Sequence, residues 1–275
     1  SCDEVRGTLA HFLNAARKEE IVFTRNTTEG INLVANAFPF TAGDVVLVSD
    51  KEHNSNLIPW QKLTRQKGTL LQIIPTLPDG TFDLPSFARM LDKNVHLVAL
   101  GMTSNLDGVS IPAAEIIRLA HKNGSLVLLD AAQSAPHQQI NVRALDADFA
   151  AFSGHKMLGP SGTGVLYAKY KLLEQMEPFL VGGDTVASST YDSAEFLPPP
   201  EKFEAGLQDY AGILGLGAAV EYLHKIGFSA IQKHELELNQ AITAGIRDIP
   251  GLRIFGPADA ALRGGIVTFT IDGID

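Results

Sequence analysis

The chain has 275 residues, 45% of them apolar and 19% charged, which is enough for a sizeable buried core in one large domain or one domain and part of another. Its 22 Lys and Arg residues against 31 Asp and Glu residues give a formal net charge of -9, so composition provides no basis for binding nucleic acid or an anionic membrane surface. A single cysteine, Cys2, excludes an internal disulfide, and with no leader or long apolar span in view we expect a protein of the reducing cytoplasm.

Apolar runs of strand length alternate with segments of helical periodicity through the first half of the chain. The predicted strands occupy residues 21–23, 45–48, 70–74, 96–100, 126–129 and 149–152. The predicted helices between them occupy residues 29–37, 56–67, 84–91 and 112–122, with Asp83 as an N-cap and Gly124 as a terminator. This alternation predicts an α/β fold with a doubly wound, mainly parallel sheet, whose ligands bind at the carboxyl ends of the strands.

The last part of the chain has a different pattern. Two long helices are predicted over residues 210–226 and 228–247, and strands of a new unit over residues 252–255 and 265–271. Two strands without a covering helix make no stable domain. We therefore expect a large domain over residues 1–238 and the start of a small α+β domain, cut short, over residues 239–275.

One lysine follows the last predicted strand of the first pattern, between a polar pair and a glycine-rich turn. Lys156 comes after the apolar run at residues 149–152, where loss of solvation favours an uncharged amine that can condense with an aldehyde. Ser153 and His155 flank it with donors suited to a phosphate, and the glycines from Gly159 onward allow close approach of the backbone to a ligand. Together these features suggest a site for pyridoxal phosphate.

Two polar side chains follow the strand predicted over residues 126–129. Asp130 has the placement required of a carboxylate that pairs with a ring nitrogen and keeps it protonated, and Gln133 has a donor for the phenolic oxygen of the ring. An acid after a strand is equally expected as a helix N-cap, so Asp130 alone does not decide between the two interpretations.

Other strand ends carry further candidates. Thr27 and Thr28 lie where a strand meets a helix N-terminus, a place that favours an anion, although capping alone would also explain them. His53 has an imidazole that can stack on an aromatic ring, and a lone loop histidine is as readily explained as a solvent-exposed one. Asn105 belongs to a segment that is also consistent with an ordinary turn. The occurrence of all these polar candidates after the predicted strands favours a functional site over the separate explanations.

Several segments, taken together, match the motifs of a known family. They are Phe23-Thr-Arg-Asn-Thr-Thr-Glu-Gly-Ile-Asn32, Glu52-His-Asn-Ser-Asn-Leu-Ile-Pro-Trp-Gln61, Asp130-Ala-Ala-Gln-Ser134, Phe152-Ser-Gly-His-Lys-Met157 and Lys202-Phe-Glu-Ala-Gly206. They resemble class-V aminotransferase-fold enzymes, and among these the SUF-type cysteine desulfurases and selenocysteine lyases. The resemblance covers most of the chain and implies the fold of PLP-dependent transferases, the aspartate aminotransferase-like fold type I.

The resemblance implies a role for each polar residue at the strand ends. Lys156 would form the Schiff base with pyridoxal phosphate, and His53 would stack on the ring. Asp130 and Gln133 would contact the ring nitrogen and the phenolic oxygen, while Asn105 would lie near that oxygen or the substrate carboxylate. The phosphate would be held by a set of hydroxyl and imidazole donors, namely Thr27, Thr28, Ser153 and His155.

The resemblance also implies a reaction. A cysteine desulfurase or selenocysteine lyase removes sulfur or selenium from its amino acid to give alanine, with Lys156 or His53 moving protons and the ring paired with Asp130 taking up electrons. It implies cysteine as substrate, a homodimer, a sulfur-acceptor protein and a part in iron–sulfur cluster assembly. Two alternatives stay open: an aminotransferase or related lyase acting on another amino acid, and a non-catalytic chain that only binds the cofactor.

The chain departs from the family pattern at two points. Relatives carry a catalytic cysteine and a carboxylate-binding arginine in the C-terminal domain; neither is identifiable up to Asp275, and we assign no substrate role to Arg253 or Arg263. Relatives also usually carry a threonine where this chain has Leu207. The contact that this threonine makes with the phosphate of the neighbouring subunit is therefore not expected here.

Overall fold

The structure is a computed structural model that describes residues 1–274, and Asp275, the last residue of the predicted small domain, lies outside the described residues. Within residues 1–274 the helices are α1 Cys2–Leu13, α2 Thr27–Ala37, α3 Ile58–Lys67, α4 Leu84–Met90, α5 Ala113–Asn123, α6 Val142–Leu145, α7 Tyr170–Gln175, α8 Tyr210–Ile226 and α9 Phe228–Ile246. The strands are β1 Ile21–Thr24, β2 Val45–Ser49, β3 Leu70–Ile74, β4 Val95–Gly101, β5 Leu126–Asp130, β6 Phe149–Ser153, β7 Gly164–Ala168, β8 Val186–Ser189, β9 Ala194–Phe196, β10 Leu252–Ile254 and β11 Phe269–Ile271.

A seven-stranded sheet lies at the centre of the fold, with the strand order β1-β7-β6-β5-β4-β2-β3. The pairs from β3 through β2, β4 and β5 to β6 are parallel, whereas β7 is antiparallel to both of its neighbours, β1 and β6. The predicted α/β fold with a mainly parallel sheet is therefore confirmed.

The sequence patterns did not predict α1 or β7. The helix α1 is amphipathic and buries Val5, Leu9 and Phe12 on one face, and a capping box between Ser1 and Glu4 sets its start. The strand β7 is buried along its whole length and follows directly on the glycine-rich turn, and no strand is predicted for it from the sequence. The last predicted strand, residues 265–271, is shorter in the structure and begins only at Phe269.

Neighbouring strands β2 and β4 send the chain to opposite faces of the sheet. After β2 the chain enters α3, which packs with α2 and α7 on one face. After β4 it enters α5, which packs with α1 and α8 on the other face. Loops that diverge in this way open a crevice at the carboxyl ends of the two strands, which is where ligands bind in open α/β sheets.

The C-terminal part consists of two long helices and a small antiparallel pair. The strands β10 and β11 pair through Leu252 and Ile271. The domain boundary predicted at residues 238 and 239 falls inside the helix α9, and the division into domains stays a prediction. No helix within residues 1–274 combines the length and the apolar composition that a bilayer crossing requires.

Candidate active site

A cavity of about 280 Å³ lies at the carboxyl ends of the parallel strands, over the crevice between β2 and β4. All the residues that the sequence singled out line it, although they come from five separate parts of the chain: Thr27, Thr28, His53, Asn105, Asp130, Gln133, Ser153, His155 and Lys156.

Lys156 stands in a short 3₁₀ turn, Gly154–Lys156, directly after β6. The turn packs tightly on the chain before β7, because a side-chain carbon at Gly154 would lie 2.2 Å from Oγ1 of Thr163. Lys156 is half-buried and lines the cavity, and its amine makes no hydrogen bond or ion pair within residues 1–274. The expected burial is thus only partial, and the amine is free to react.

Asp130 ends β5 and is 7% exposed. Its Oδ1 accepts a hydrogen bond from the N–H of Ala132 at 3.0 Å, while Oδ2 has no partner within residues 1–274. Turns follow it instead of a helix, so the interpretation as a helix N-cap is wrong. Burial raises the pKa of Asp130, against the hydrogen bond from Ala132 and the charges of Lys156 and His53. A cationic ligand group facing Oδ2 would stabilise the carboxylate.

Hydroxyl groups surround the N-terminus of α2. The Oγ of Ser153 accepts from the N–H of Thr27 at 2.8 Å, and the Oγ1 of Thr28 lies 2.7 Å from Oγ of Ser55. The cap of this helix is Asn26, whose Oδ1 accepts from the N–H of Glu29, so capping does not account for the threonines. The N–H of Thr28 has no acceptor within residues 1–274. Free N–H and hydroxyl donors at a helix N-terminus suit a phosphate.

His53 and Asn105 reach the cavity from loops. His53 is exposed, and its Nδ1 accepts from the N–H of Ser55 at 3.1 Å, which leaves Nε2 as the donor of the neutral ring. Asn105 lies in a tight turn closed by a hydrogen bond from the N–H of Gly108 to the carbonyl of Ser104. The solvent-exposed and turn interpretations are therefore correct for these two residues, and both residues line the cavity as well.

Two charged residues beside His53 also line the cavity and had been given no role. Burial, together with the negative charge of Asp130, raises the pKa of Glu52 to about 7, against hydrogen bonds from Ser49, Asn56 and Gly101. Lys51 forms an ion pair with Asp107 and donates to the carbonyl of Gly80 at 2.5 Å. Both belong to the segment after β2, but no sequence signal separates them from ordinary loop charges.

The donor set of the cavity fits pyridoxal phosphate. Lys156 provides a free amine that can react with the aldehyde of the cofactor. Asp130 provides a buried carboxylate with one unpaired oxygen that can face the ring nitrogen. The N-terminus of α2 with its hydroxyl groups is present for a phosphate. The three groups lie on the wall of one cavity, as a single ligand requires.

Comparison with known proteins agrees with this chemistry. The profile of the family described as "Aminotransferase class-V" matches residues 1–275. A cysteine desulfurase of Dickeya dadantii is 45% identical over 273 residues, which cover 98% of this chain and 66% of that protein. The chain therefore spans about two thirds of the length of the curated relatives it matches.

Solved structures show the same architecture. A cysteine desulfurase from Escherichia coli superposes with a TM-score of 0.95 at 35% identity, covering 100% of this chain and 68% of the other. A cystine C–S lyase, solved in complex with its product cysteine persulfide, superposes with a TM-score of 0.87 at 25% identity, covering 98% of this chain and 72% of the other.

Proposed function

Because the chain belongs to the class-V aminotransferase family, whose members depend on pyridoxal phosphate, we propose that its function is that of a cysteine desulfurase. Its fold is that of the PLP-dependent transferases of fold type I. The observation that carries the proposal is the meeting of a free amine, a buried carboxylate with one unpaired oxygen and a helix N-terminus in one cavity. The names of the similar proteins supply the choice of cysteine as substrate.

Each part of the cofactor has a matching group in the cavity. Lys156 would hold the aldehyde carbon, and Asp130 the ring nitrogen, with Gln133 at the phenolic oxygen. The phosphate would be held by hydroxyl, imidazole and N–H donors, namely Thr27, Thr28, Ser153 and His155. When bound, pyridoxal phosphate supplies an electron sink for the negative charge that develops at the α-carbon of an amino acid.

The side chains of the site have separate tasks in this reaction. Asp130 keeps a proton on the ring nitrogen, because its unpaired Oδ2 is the negative group available to that atom. The amine of Lys156 has no competing partner within residues 1–274 and serves as the base that takes a proton from the substrate. His53, with its donor at Nε2, orients the ring and can return a proton. Asn105 is placed to bind the phenolic oxygen or the substrate carboxylate.

The sulfur needs an acceptor thiol. Cysteine and a thiol give alanine and a persulfide, and a second thiol releases the sulfur as sulfide with formation of a disulfide. Cys2 lies in α1 and does not line the cavity. We therefore assign the acceptor thiol to a sulfur-acceptor protein.

Three exposed apolar side chains at and before the start of α8 support the proposal of a homodimer. Leu207, Tyr210 and Leu214 are 81%, 52% and 50% exposed, and the last two lie on the first turns of α8. A second copy of the chain would remove these side chains from water. Light scattering at several protein concentrations tests the proposed homodimer. A monomeric mass at every concentration would contradict the homodimer.

The decisive experiment supplies cysteine to the purified chain loaded with pyridoxal phosphate, with dithiothreitol as the thiol. Alanine and sulfide in equal amounts are expected. Pyruvate with ammonia and sulfide would instead indicate a C–S lyase and contradict the proposal. An unchanged visible spectrum with every amino acid would indicate a chain that binds the cofactor without turnover, and this also contradicts it.

A further inference from the structure

Glu52 forms hydrogen bonds with the last residues of both β2 and β4, the neighbouring strands after which the chain passes to opposite faces of the sheet. It follows β2 and lines the cavity. Its Oε1 accepts a hydrogen bond from Oγ of Ser49, the last residue of β2, at 2.6 Å. Its Oε2 accepts from the N–H of Gly101, the last residue of β4, at 2.9 Å, and from Nδ2 of Asn56 at 2.7 Å. One carboxyl group thus holds three donors from two strand ends and a loop.

The direction of these hydrogen bonds is fixed by the neighbours. The Oδ1 of Asn56 accepts from Nε1 of Trp60 at 3.1 Å, so the amide of Asn56 must present its N–H to Glu52. A backbone N–H such as that of Gly101 can only donate. The Oε2 of Glu52 is therefore an acceptor in every protonation state. A proton on this group can reside only on Oε1, where the hydroxyl of Ser49 can turn to accept it.

Two of the three donors flank His53 in the sequence, and the third lies on the neighbouring strand β4. Ser49 precedes His53 and Asn56 follows it, so both ends of the short loop that carries the imidazole are attached to the same carboxyl group. The imidazole itself hydrogen-bonds only within its loop, to Ser55, among residues 1–274. Gly101 is paired in the sheet with Asp130. The positions of the ring-stacking and nitrogen-binding side chains therefore depend on the same group.

We propose that Glu52 is a positioning residue, whose carboxyl group clamps the ends of β2 and β4 and so sets the position of His53 relative to Asp130. The proposal rests on the proposed function, because it takes pyridoxal phosphate as the ligand between these two side chains. No basic side chain within residues 1–274 forms an ion pair with Glu52, whose hydrogen-bond partners are Ser49, Asn56 and Gly101.

A glutamine can replace this carboxyl group without loss of the clamp. Its amide oxygen would take the place of Oε2 and accept from Gly101 and Asn56, and its amide nitrogen would donate to Oγ of Ser49, which can reverse its own hydroxyl. Alanine removes all three hydrogen bonds. The pair Glu52→Gln and Glu52→Ala therefore separates the geometry of the clamp from its charge.

The first test measures the dissociation constant of pyridoxal phosphate and the visible circular dichroism of the bound cofactor. We expect Glu52→Ala to weaken binding about 10-fold and to reduce the dichroism, since all three hydrogen bonds of the clamp are lost, and Glu52→Gln to stay within about 3-fold of the wild type. The matched control is Glu20→Ala, because Glu20 is a buried glutamate that likewise accepts backbone N–H groups, from Ala16 and Tyr170, but lies outside the cavity. Equal binding by Glu52→Ala and the wild type overturns the proposal.

The second test asks whether Glu52 acts through His53. If it does, Glu52→Ala combined with His53→Ala binds pyridoxal phosphate no more weakly than His53→Ala alone. Losses that simply add indicate a general structural effect and overturn the proposal. Should Glu52→Ala fail to fold, Glu52→Asp replaces it, because the shorter side chain cannot reach all three donors.

The third test needs no cofactor and separates this inference from the proposed function. In the protein without pyridoxal phosphate, hydrogen exchange over residues 50–57 and at Gly101 should become faster in Glu52→Ala but not in Glu52→Gln or Glu20→Ala. Failure of the chain to bind the cofactor would contradict the proposed function while this readout still decides on the clamp. Unchanged hydrogen exchange in Glu52→Ala overturns the proposal that Glu52 is a positioning residue.

Discussion

The hydroxyl groups of Thr27 and Ser153 lie 2.7 Å apart, although the two residues are separated by 126 positions in the sequence. The strand order explains the contact, because β1 and β6 flank the antiparallel strand β7 and present their ends to the same place. Ser153 Oγ also accepts from the N–H of Thr27. The proposed phosphate site is thus assembled from the beginning of α2 and the end of β6.

This arrangement predicts the effect of removing either hydroxyl. Thr27→Val and Ser153→Ala should each raise the dissociation constant of pyridoxal phosphate about 10-fold or more, since a hydrogen bond to a charged group contributes about 1.5–3 kcal/mol. Titration followed by absorbance measures the constant. Thr8→Val is the control, because its hydroxyl donates to the exposed carbonyl of Glu4. Wild-type affinity in both site variants would contradict the phosphate assignment.

The free amine of Lys156 gives the most direct prediction. Lys156→Ala should abolish the visible absorbance that the chain acquires with pyridoxal phosphate, because no other lysine that lines the cavity has an amine without a partner. Lys122→Ala, at an exposed position of α5, should keep the spectrum. An unchanged spectrum in Lys156→Ala would refute the assignment of this residue.

Strands buried on both faces, and the residues that follow them, could be predicted from the sequence. The runs of β2, β5 and β6 contain few polar residues, and the helix signals at Asp83 and Gly124 are an N-cap and a C-cap in the structure. The rule that ligands bind at the carboxyl ends of strands identified Asp130 and Lys156 before any distance was known. Local patterns are sufficient for such features because each depends on neighbouring residues alone.

Other features depend on residues that are distant in the sequence. Glu52 belongs to a family-like motif in the sequence, but its hydrogen bond with Gly101 forms only because the pairing of β2 with β4 brings the two residues together. The strand β7 follows directly on a glycine-rich turn, which makes its apolar run difficult to identify as a strand. Its antiparallel position between β1 and β6 cannot be deduced from that run. Long-range register therefore limits what the sequence alone predicts here.

Asp130 should be sensitive to the loss of its charge. Burial raises the pKa of this carboxyl group, against the hydrogen bond from Ala132 and the charges of Lys156 and His53, and a cation on the ligand would stabilise the ionised form further. Asp130→Asn should lower cysteine turnover about 100-fold or more, since truncating one member of a buried charged pair costs about 2–5 kcal/mol. Alanine release measures the rate, with Asp192→Asn in an exposed loop as the control. A loss of less than about 3-fold would argue against pairing with the ring nitrogen.

The ion pair of Lys51 and Asp107 joins the loop of His53 to the turn of Asn105. The side chains are 18% and 6% exposed. Lys51→Ala should lower the free energy of unfolding by about 3–5 kcal/mol, because it leaves Asp107 buried without its partner. The double variant Lys51→Met with Asp107→Leu should recover most of this loss, as an apolar pair can replace a buried ion pair. Urea denaturation measures the free energy of unfolding of the single and double variants. If the losses from changing Lys51 and Asp107 separately add up in the double variant, a direct coupling between the two residues is contradicted.

The raised pKa of Glu52 predicts how stability depends on pH. Burial is its main cause and the charge of Asp130 adds to it, while His53 and Lys51 are the titratable neighbours in sequence. From the ordinary value of 4.5 up to about 7, the folded protein holds a proton on Glu52 that the unfolded chain has released. The contribution of this group to stability is therefore largest at acid pH and falls as the pH rises through that window.

Glu52→Gln removes this dependence because it is neutral at every pH and keeps the clamp. The variant should match the wild type near pH 4 and exceed its free energy of unfolding by up to about 3 kcal/mol near pH 8, at about 1.4 kcal/mol for each unit of pKa shift. Urea denaturation at a series of pH values, without cofactor, measures the difference. A difference that stays constant across the series would show that folding does not shift the pKa of Glu52, and a variant that is less stable at pH 8 would show that the carboxylate is required for the clamp.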